Sequence, residues 1–190
     1  GLPYRNTSRT RINGLKEDGI SFINTGRGRD LGGALLALNT QELQEIQAAW
    51  LAETLLKNSR MYGLSLQYRI GFSGAFQTLT NTSYINGEDG ELRPMGPFAL
   101  PALLLNQPYV QLLWRYHHTA VQSGPRASLR LDDIILAGNP GIPEILSLNN
   151  KTNGHESIDI FWSETERAQV YEIEVATDAS FQLLVASAQT

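Results

Sequence analysis

The segment RMYGLSLQYRIG (Arg60–Gly71) sorts its residues by parity: Tyr62, Leu64, Leu66, Tyr68 and Ile70 against Met61, Gly63, Ser65, Gln67 and Arg69. An apolar, aromatic face backed by a mostly polar one at period two is the mark of a half-buried strand, because successive side chains of an extended chain point to opposite faces. A helix would scatter the same set around its axis. PYVQLLWRYHH (Pro108–His118) repeats the pattern, with Val110, Leu112, Trp114 and Tyr116 set against Tyr109, Gln111, Leu113, Arg115 and His117. GISFINT (Gly19–Thr25) alternates around Ile20, Phe22 and Ile23, and the short apolar run ALLALN (Ala34–Asn39) is predicted as a buried strand. RASLRLDDIILA (Arg126–Ala137) closes the set. Strands recurring in this way between Gly and Pro punctuation predict an all-β sandwich or barrel.

The remaining segments read as connections. Residues 1–17 are polar and turn-rich, GRGRDLGG is a loop by its glycines, GFSGAFQTL turns and continues, and Asn81–Gly96 carries NG and DG turn signals. GNPGIPE (Gly138–Glu144) concentrates proline and glycine and reads as a hinge. Beyond it the strand pattern restarts in EILSL, SIDIFWS, VYEIEVATD and FQLLVASA. The expected organisation is a sandwich over residues 1–137, a linker over 138–143 and a partial second domain over 144–190, which is short of the roughly 100 residues of a full sandwich. One stretch is in conflict. Thr40–Leu56 places Leu43, Ile46, Trp50, Leu51 and Leu55 at helical spacing, with Thr40 as a cap and Glu42 in the first turn.

Composition narrows the chemistry. Of 190 residues 42% are hydrophobic, which suits a packed core. The formal charge of −4, without a strongly basic stretch, gives no sign of a nucleic-acid partner. The absence of cysteine removes disulfides, thiolate nucleophiles and thiolate-held zinc. No apolar run approaches the ~20 residues that span a bilayer. The chain starts at Gly1 with no initiator Met and no signal peptide, and reads as an internal piece of a longer product.

The tail resembles the start of a fibronectin type III domain, carried by the Pro143 lead-in, Trp162 in IDIFWS and Tyr171 in AQVYEIEVATD; the resemblance implies that Trp162 packs in the core. Residues 1–137 resemble a jelly-roll module of large secreted bacterial proteins, especially of the Bacteroidetes. The carrying stretches are TRINGLKEDGISFINTG, LGGALLALNT, NSRMYGLSLQYRIGFSGAF, LPALLLNQPYVQLLWRYHH and LRLDDIIL. The resemblance implies a jelly-roll β-sandwich lacking its first strands, an extracellular or cell-surface setting, and a strand at about Gln44–Glu53 in place of the helix.

Asp132 and Asp133 are neighbours that would diverge on a strand, so they cannot act as a converging catalytic carboxylate pair, which needs a separation of roughly 5–10 Å. Two readings compete. One Asp caps a loop backbone while the other is solvated, or the pair supplies oxygens to a structural Ca²⁺, which takes roughly six to eight, with help from Asp18, Asn13 or Asp30. His117 and His118 diverge likewise, and the third histidine, His155, lies beyond the hinge, so a zinc site is not expected. No Gly-x-Ser-x-Gly elbow is present. TGRGRDLGG fits neither nucleotide-binding glycine pattern, although Arg27 and Arg29 could meet an anionic sugar or a neighbouring domain. Trp50, Tyr68, Trp114 and Tyr116 would make a sugar platform if exposed, but the alternation of Trp114 and Tyr116 with Val110 and Leu112 favours the core.

The expectation is a non-catalytic accessory, binding or structural module of a secreted or cell-surface multidomain protein. Its expected partners are polysaccharide or neighbouring domains of the same chain, and structural calcium is the one cofactor kept open. The alternatives are a segment of an extracellular hydrolase or nuclease whose catalytic domain lies elsewhere, and a stalk repeat of an adhesin.

Overall fold

The computed structural model describes residues 10–24, 32–120, 123–140, 145–151, 157–162, 172–176 and 184–189. The chain divides into two compact units, Gly1–Asn139 and Pro140–Thr190. In the first the strands are β1 (Thr10–Gly14), β2 (Ile20–Asn24), β3 (Gly32–Leu38), β4 (Leu43–Leu56), β5 (Tyr62–Ile70), β6 (Gln77–Thr78), β7 (Tyr84–Ile85), β8 (Leu92–Ala99), β9 (Val110–His118) and β10 (Ser128–Pro140). The only helical elements among the described residues are two single 3-10 turns, Lys16–Asp18 and Ala102–Leu104.

The strands form two five-stranded sheets. Sheet A has the order β1-β2-β10-β4-β8, and sheet B the order β3-β9-β5-β6 with β7 also on β5. From β2 onward the chain alternates between them, β2 in A, β3 in B, β4 in A, β5 to β7 in B, β8 in A, β9 in B and β10 in A. That is the winding of a jelly roll, a double-sheet sandwich built from two Greek keys. It makes neighbours of segments far apart in sequence: Phe22 pairs with Leu129 across β2 and β10.

The parity of β5 and β9 is realised in register, with Leu64↔Tyr116, Leu66↔Trp114 and Tyr68↔Leu112 on the inner face. Phe22 of sheet A stacks on Tyr116 of sheet B at 5.9 Å, Tyr116 stacks on Tyr62 at 4.5 Å, and Trp50 meets Trp114 edge-on at 5.9 Å and 82°. Trp50, Trp114, Tyr116 and Tyr68 are all buried, so they are core and form no exposed platform. Tyr116 keeps its polar tip satisfied at the rim by donating to the Ala127 carbonyl at 2.7 Å.

Thr40–Leu56 resolves as strand. Leu43–Leu56 is extended and pairs with β8 through Gln47↔Ala99 to Glu53↔Leu92. Its buried side is Ile46, Ala48, Trp50, Ala52 and Thr54, a period-two row in which small alanines flank the indole. The helical reading fails because Leu51 and Leu55 belong to the outer face. Thr40 caps no helix; its buried hydroxyl donates to the Leu104 carbonyl at 2.5 Å and accepts from Gln107 N–H at 3.1 Å.

Other expectations shift as well. The turn-rich N-terminal stretch contains β1, paired with β2 from Thr10↔Asn24 to Gly14↔Ile20. The expected Asn81–Gly96 loop contains β7 and the start of β8. β3 is an edge strand, not a buried one, and leaves Leu35 half exposed. At the opposite edge of the fold, β8 carries Pro94 and Pro97, which remove ladder donors and block addition of a further strand. β10 runs through Gly138 and Asn139 to Pro140, into the stretch read as linker.

β6 and β7 are two fragments of one interrupted strand. Between them Thr80 and Asn81 turn the chain out, Asn81 at φ +62°. Thr82 closes the gap: its hydroxyl accepts from Leu66 N–H at 3.2 Å and donates to the Leu79 carbonyl at 2.7 Å.

In the second unit, β11 (Ile145–Lys151) pairs antiparallel with β12 (Ser157–Trp162), and β13 (Glu172–Ala176) with β14 (Leu184–Gln189). Pro143, His155, Tyr171 and the side chain of Trp162 lie outside the described residues.

Candidate functional site

The outer face of sheet B carries the concentration of exposed recognition chemistry. Opposite the core-facing row of β5 and β9 stand Arg69↔Gln111, Gln67↔Leu113 and Ser65↔Arg115. The ladder extends by one bond, Gly71 N–H to the Tyr109 carbonyl at 3.0 Å, which puts Tyr109 on the same outer face as Gln111. Beyond Ile70 the chain turns sharply through Gly71 (φ +75°) and Gly74 (φ +93°), a conformation that glycine adopts without steric cost.

That turn delivers two aromatic rings. Phe72 stacks face to face on Tyr109, centroids 4.0 Å apart and planes 20° from parallel, and is itself 75% exposed. Phe76 lies under the Arg69 guanidinium, whose Cζ is 4.4 Å from the ring centroid. A hydrogen-bond chain ties the group together. Arg69 Nε donates to Gln111 Oε1 at 2.5 Å, Gln111 Nε2 donates to the Tyr109 hydroxyl at 2.9 Å, and Arg69 Nη1 donates to the Gly74 carbonyl at 3.1 Å. Gln111 is buried beneath these groups, so the base of the site is fixed while Phe72 faces solvent. A rigid exposed ring beside an amide and a guanidinium suits a flat ligand with hydroxyls at its edge.

The acid pair is organised differently. Asp133 takes φ +45°, which breaks strand alternation, and its N–H donates to Asp132 Oδ1 at 2.9 Å. Asp132 also faces Arg130, Oδ2 to Nη2 at 3.8 Å, while Glu53 Oε2 lies 2.9 Å from Arg130 Nε and Asp18 Oδ1 3.8 Å from Nη1. The Glu53 contact is a charge contact, since the Nε–H is not aligned for a hydrogen bond. Asp18 and Asp132 therefore do come together, with Glu53 as a third acid, but around a guanidinium. A hard divalent ion needs more oxygens than this, and Arg130 already occupies the centre of the acids. Asn13 turns instead to Ser21, its amide 3.4 Å from the hydroxyl, and Asp133 is exposed. Among the described residues no group of three His, Asp or Glu side chains is placed to hold a metal ion; the three acids here are turned to Arg130.

His117 and His118 part company as expected. His118 tilts against Tyr62 at 5.2 Å, and His117 stands across from Gly63 with Nδ1 3.2 Å from the Arg115 carbonyl. Arg27, Arg29 and Asp30 lie outside the described residues.

The β7–β8 turn is held down on the end of β4. Lys57 pairs with Glu88, and Asp89 accepts the Lys57 N–H. The Arg93 guanidinium, 2.6 Å away, holds the Glu91 carboxyl below the usual carboxylate range, with help from the Glu88 N–H. Beneath it, burial pushes the Tyr84 phenol above its ordinary value, against a hydrogen bond with Thr54 that pulls the other way.

Phe72 and Phe76 went unread in the sequence because they sit in GFSGAF, a turn by its glycines. The available signal was two phenylalanines in a glycine-punctuated turn, where no core periodicity claims them.

Comparison with protein-family profiles, characterised proteins and solved structures finds no match to this chain. What the fold and the site define is a class, a jelly-roll β-sandwich with an aromatic and cationic outer face on one sheet.

Proposed function

We propose that this chain is a non-catalytic binding and spacing part of a secreted or cell-surface multidomain protein, and that it contacts polysaccharide through the outer face of sheet B. The observation that carries this reading is the Phe72–Tyr109 stack: an exposed ring, braced from behind by a second ring that Gln111 anchors to the sheet. Stacking on a sugar ring needs such an open, preorganised aromatic face, because rotamer ordering on binding then costs little. The second unit, with its paired strands, serves in this reading as the start of a fibronectin-like spacer. Nothing in this role requires bond making, so affinity and orientation are the whole mechanism.

The test is a glycan-array screen of the full chain, followed by titration calorimetry on any sugar retained. Binding that Phe72→Ala weakens about tenfold or more, with an unchanged melting temperature, supports the proposal. No retention of any glycan at millimolar concentration sinks it.

A further inference from the structure

We infer that the sugar held at this face is acidic, and that Arg69 is the residue that selects it. The inference rests on the glycan-binding reading above and adds the ligand's charge. Three observations support it.

The first is charge segregation. The strands of sheet B, β3, β5, β6, β7 and β9, contain no Asp or Glu, whereas those of sheet A carry Glu45, Glu53, Asp132 and Asp133. In a chain of net charge −4, this sheet holds only cationic and neutral side chains, Arg69 and Arg115 among them. The second is the state of Arg69. It is half-buried, yet no carboxylate lies within ion-pair distance among the described residues; its partners there are the Gln111 amide, the Gly74 carbonyl and the Phe76 ring. The arginines that face acids in this unit, Arg93 and Arg130, have them at 2.6 and 2.9 Å. A guanidinium presents five N–H donors, and these contacts leave Nη2 without an acceptor among the described residues. The third is position. Gln111 bonds both Arg69 and Tyr109, so the guanidinium sits one side chain away from the ring on which Phe72 is stacked.

A guanidinium held over an aromatic ring, with Nη2 and the second Nη1 proton still to donate, offers a carboxylate charge-assisted hydrogen bonds. A uronic acid residue supplies both a ring to stack on Phe72 and a carboxylate at its edge. The exposed Glu42, on the turn before β4, is the acid placed toward this end of the sheet, and its backbone N–H is bonded to Asn106.

The experiment compares uronic-acid hexasaccharides (galacturonate, glucuronate-containing and mannuronate) with their methyl esters, which keep the sugar and lose the charge. Titration calorimetry uses the full chain, wild type, Arg69→Gln and Phe72→Ala. The expected result is that at least one acid form binds about tenfold tighter than its ester, that Arg69→Gln erases the difference, and that Phe72→Ala weakens both forms alike. If Arg69→Gln does not fold, the same preference must vanish in wild type as salt is raised to screen the charge. Equal binding of acid and ester overturns the acidic-ligand inference and leaves the glycan reading standing. Failure of every acidic and neutral sugar overturns both. A sulfated oligosaccharide that outcompetes every uronate keeps the anionic preference and assigns it to sulfate. A single-stranded oligonucleotide bound as tightly as the best sugar, through Arg69, overturns the sugar assignment.

Discussion

Thr82→Val separates hydrogen bonding from packing at the break between β6 and β7. Valine keeps the shape and volume of threonine but carries no hydroxyl. Thr82 and Leu66 are both fully buried, so the Leu66 N–H, now 3.2 Å from the hydroxyl, gains no water in exchange, whereas the Leu79 carbonyl, at 2.7 Å, belongs to a half-buried residue. An orphaned buried donor costs about 1–3 kcal/mol, and with the lost bond to Leu79 the expected loss is about 2–3 kcal/mol. At roughly 4 °C per kcal/mol for a unit of this size, the melting temperature falls by about 8–12 °C. Thr82→Ser keeps the hydroxyl and loses one methyl, for about 1 kcal/mol and a few degrees. The assay is urea denaturation followed by tryptophan fluorescence, with thermal melts by circular dichroism. Reasoning from apolar burial alone ranks the two variants the other way. A valine variant as stable as the serine variant would refute the view that this hydroxyl replaces a missing length of strand.

Three further perturbations test other parts of the fold. Arg130→Met leaves Glu53 and Asp132, whose side chains are only 16% and 14% exposed, facing each other without a cation; a loss of roughly 3 kcal/mol in urea denaturation is expected. Adding Glu53→Gln and Asp132→Asn should recover most of it, and a chelator should leave the wild-type melt unchanged; a chelator-induced drop of several degrees would show an ion at the acids after all. Gly63→Ala places a methyl 2.8 Å from the Tyr84 carbonyl and should cost about 1–3 kcal/mol in thermal melts, whereas Gly14→Ala meets open space and should stay within about 0.5 kcal/mol. Because burial raises the Tyr84 phenol, its contribution to stability is fully present below about pH 10 and is lost as pH rises through the folded-state value; in an ultraviolet titration the ionisation step that Tyr84→Phe removes should lie above the ordinary phenol value.

The parity of β5 and β9 was plain in the sequence because large apolar residues occupy every inward position. In β4 the inward row is Ile46, Ala48, Trp50, Ala52, Thr54: alanine and threonine carry little hydrophobic signal, while Leu51 and Leu55 outside supply a false helical one. Which positions must be small is decided by the indole of Trp50 meeting Trp114 from the other sheet, and no local window contains both. The same limit hid the acid hub. Asp132 and Asp18 were visible as acids, but the Arg130 that gathers them also faces Glu53, and β10, β4 and the β1–β2 turn are brought together by strand order alone. The Phe72–Tyr109 stack joins residues separated by three strands' worth of chain and follows from the single ladder bond at Gly71.

The place of β10 in sheet A governs the order in which the first unit can be assembled. It is the last strand of the unit, yet it lies between β2 and β4. During synthesis β2 and β4 emerge long before their shared neighbour, and each waits with an unpaired side until Ser128 and the residues after it arrive. The pairing of Phe22 with Leu129 closes a loop of more than a hundred residues, a step that makes folding slow and leaves strand edges open to other chains in the interval. A fragment released just short of Ser128 would hold sheet A as two halves, β1–β2 and β4–β8, with a vacant lane between them. For this unit, proteolysis or premature termination near that point should trade a closed sandwich for a species that adds strands from its neighbours.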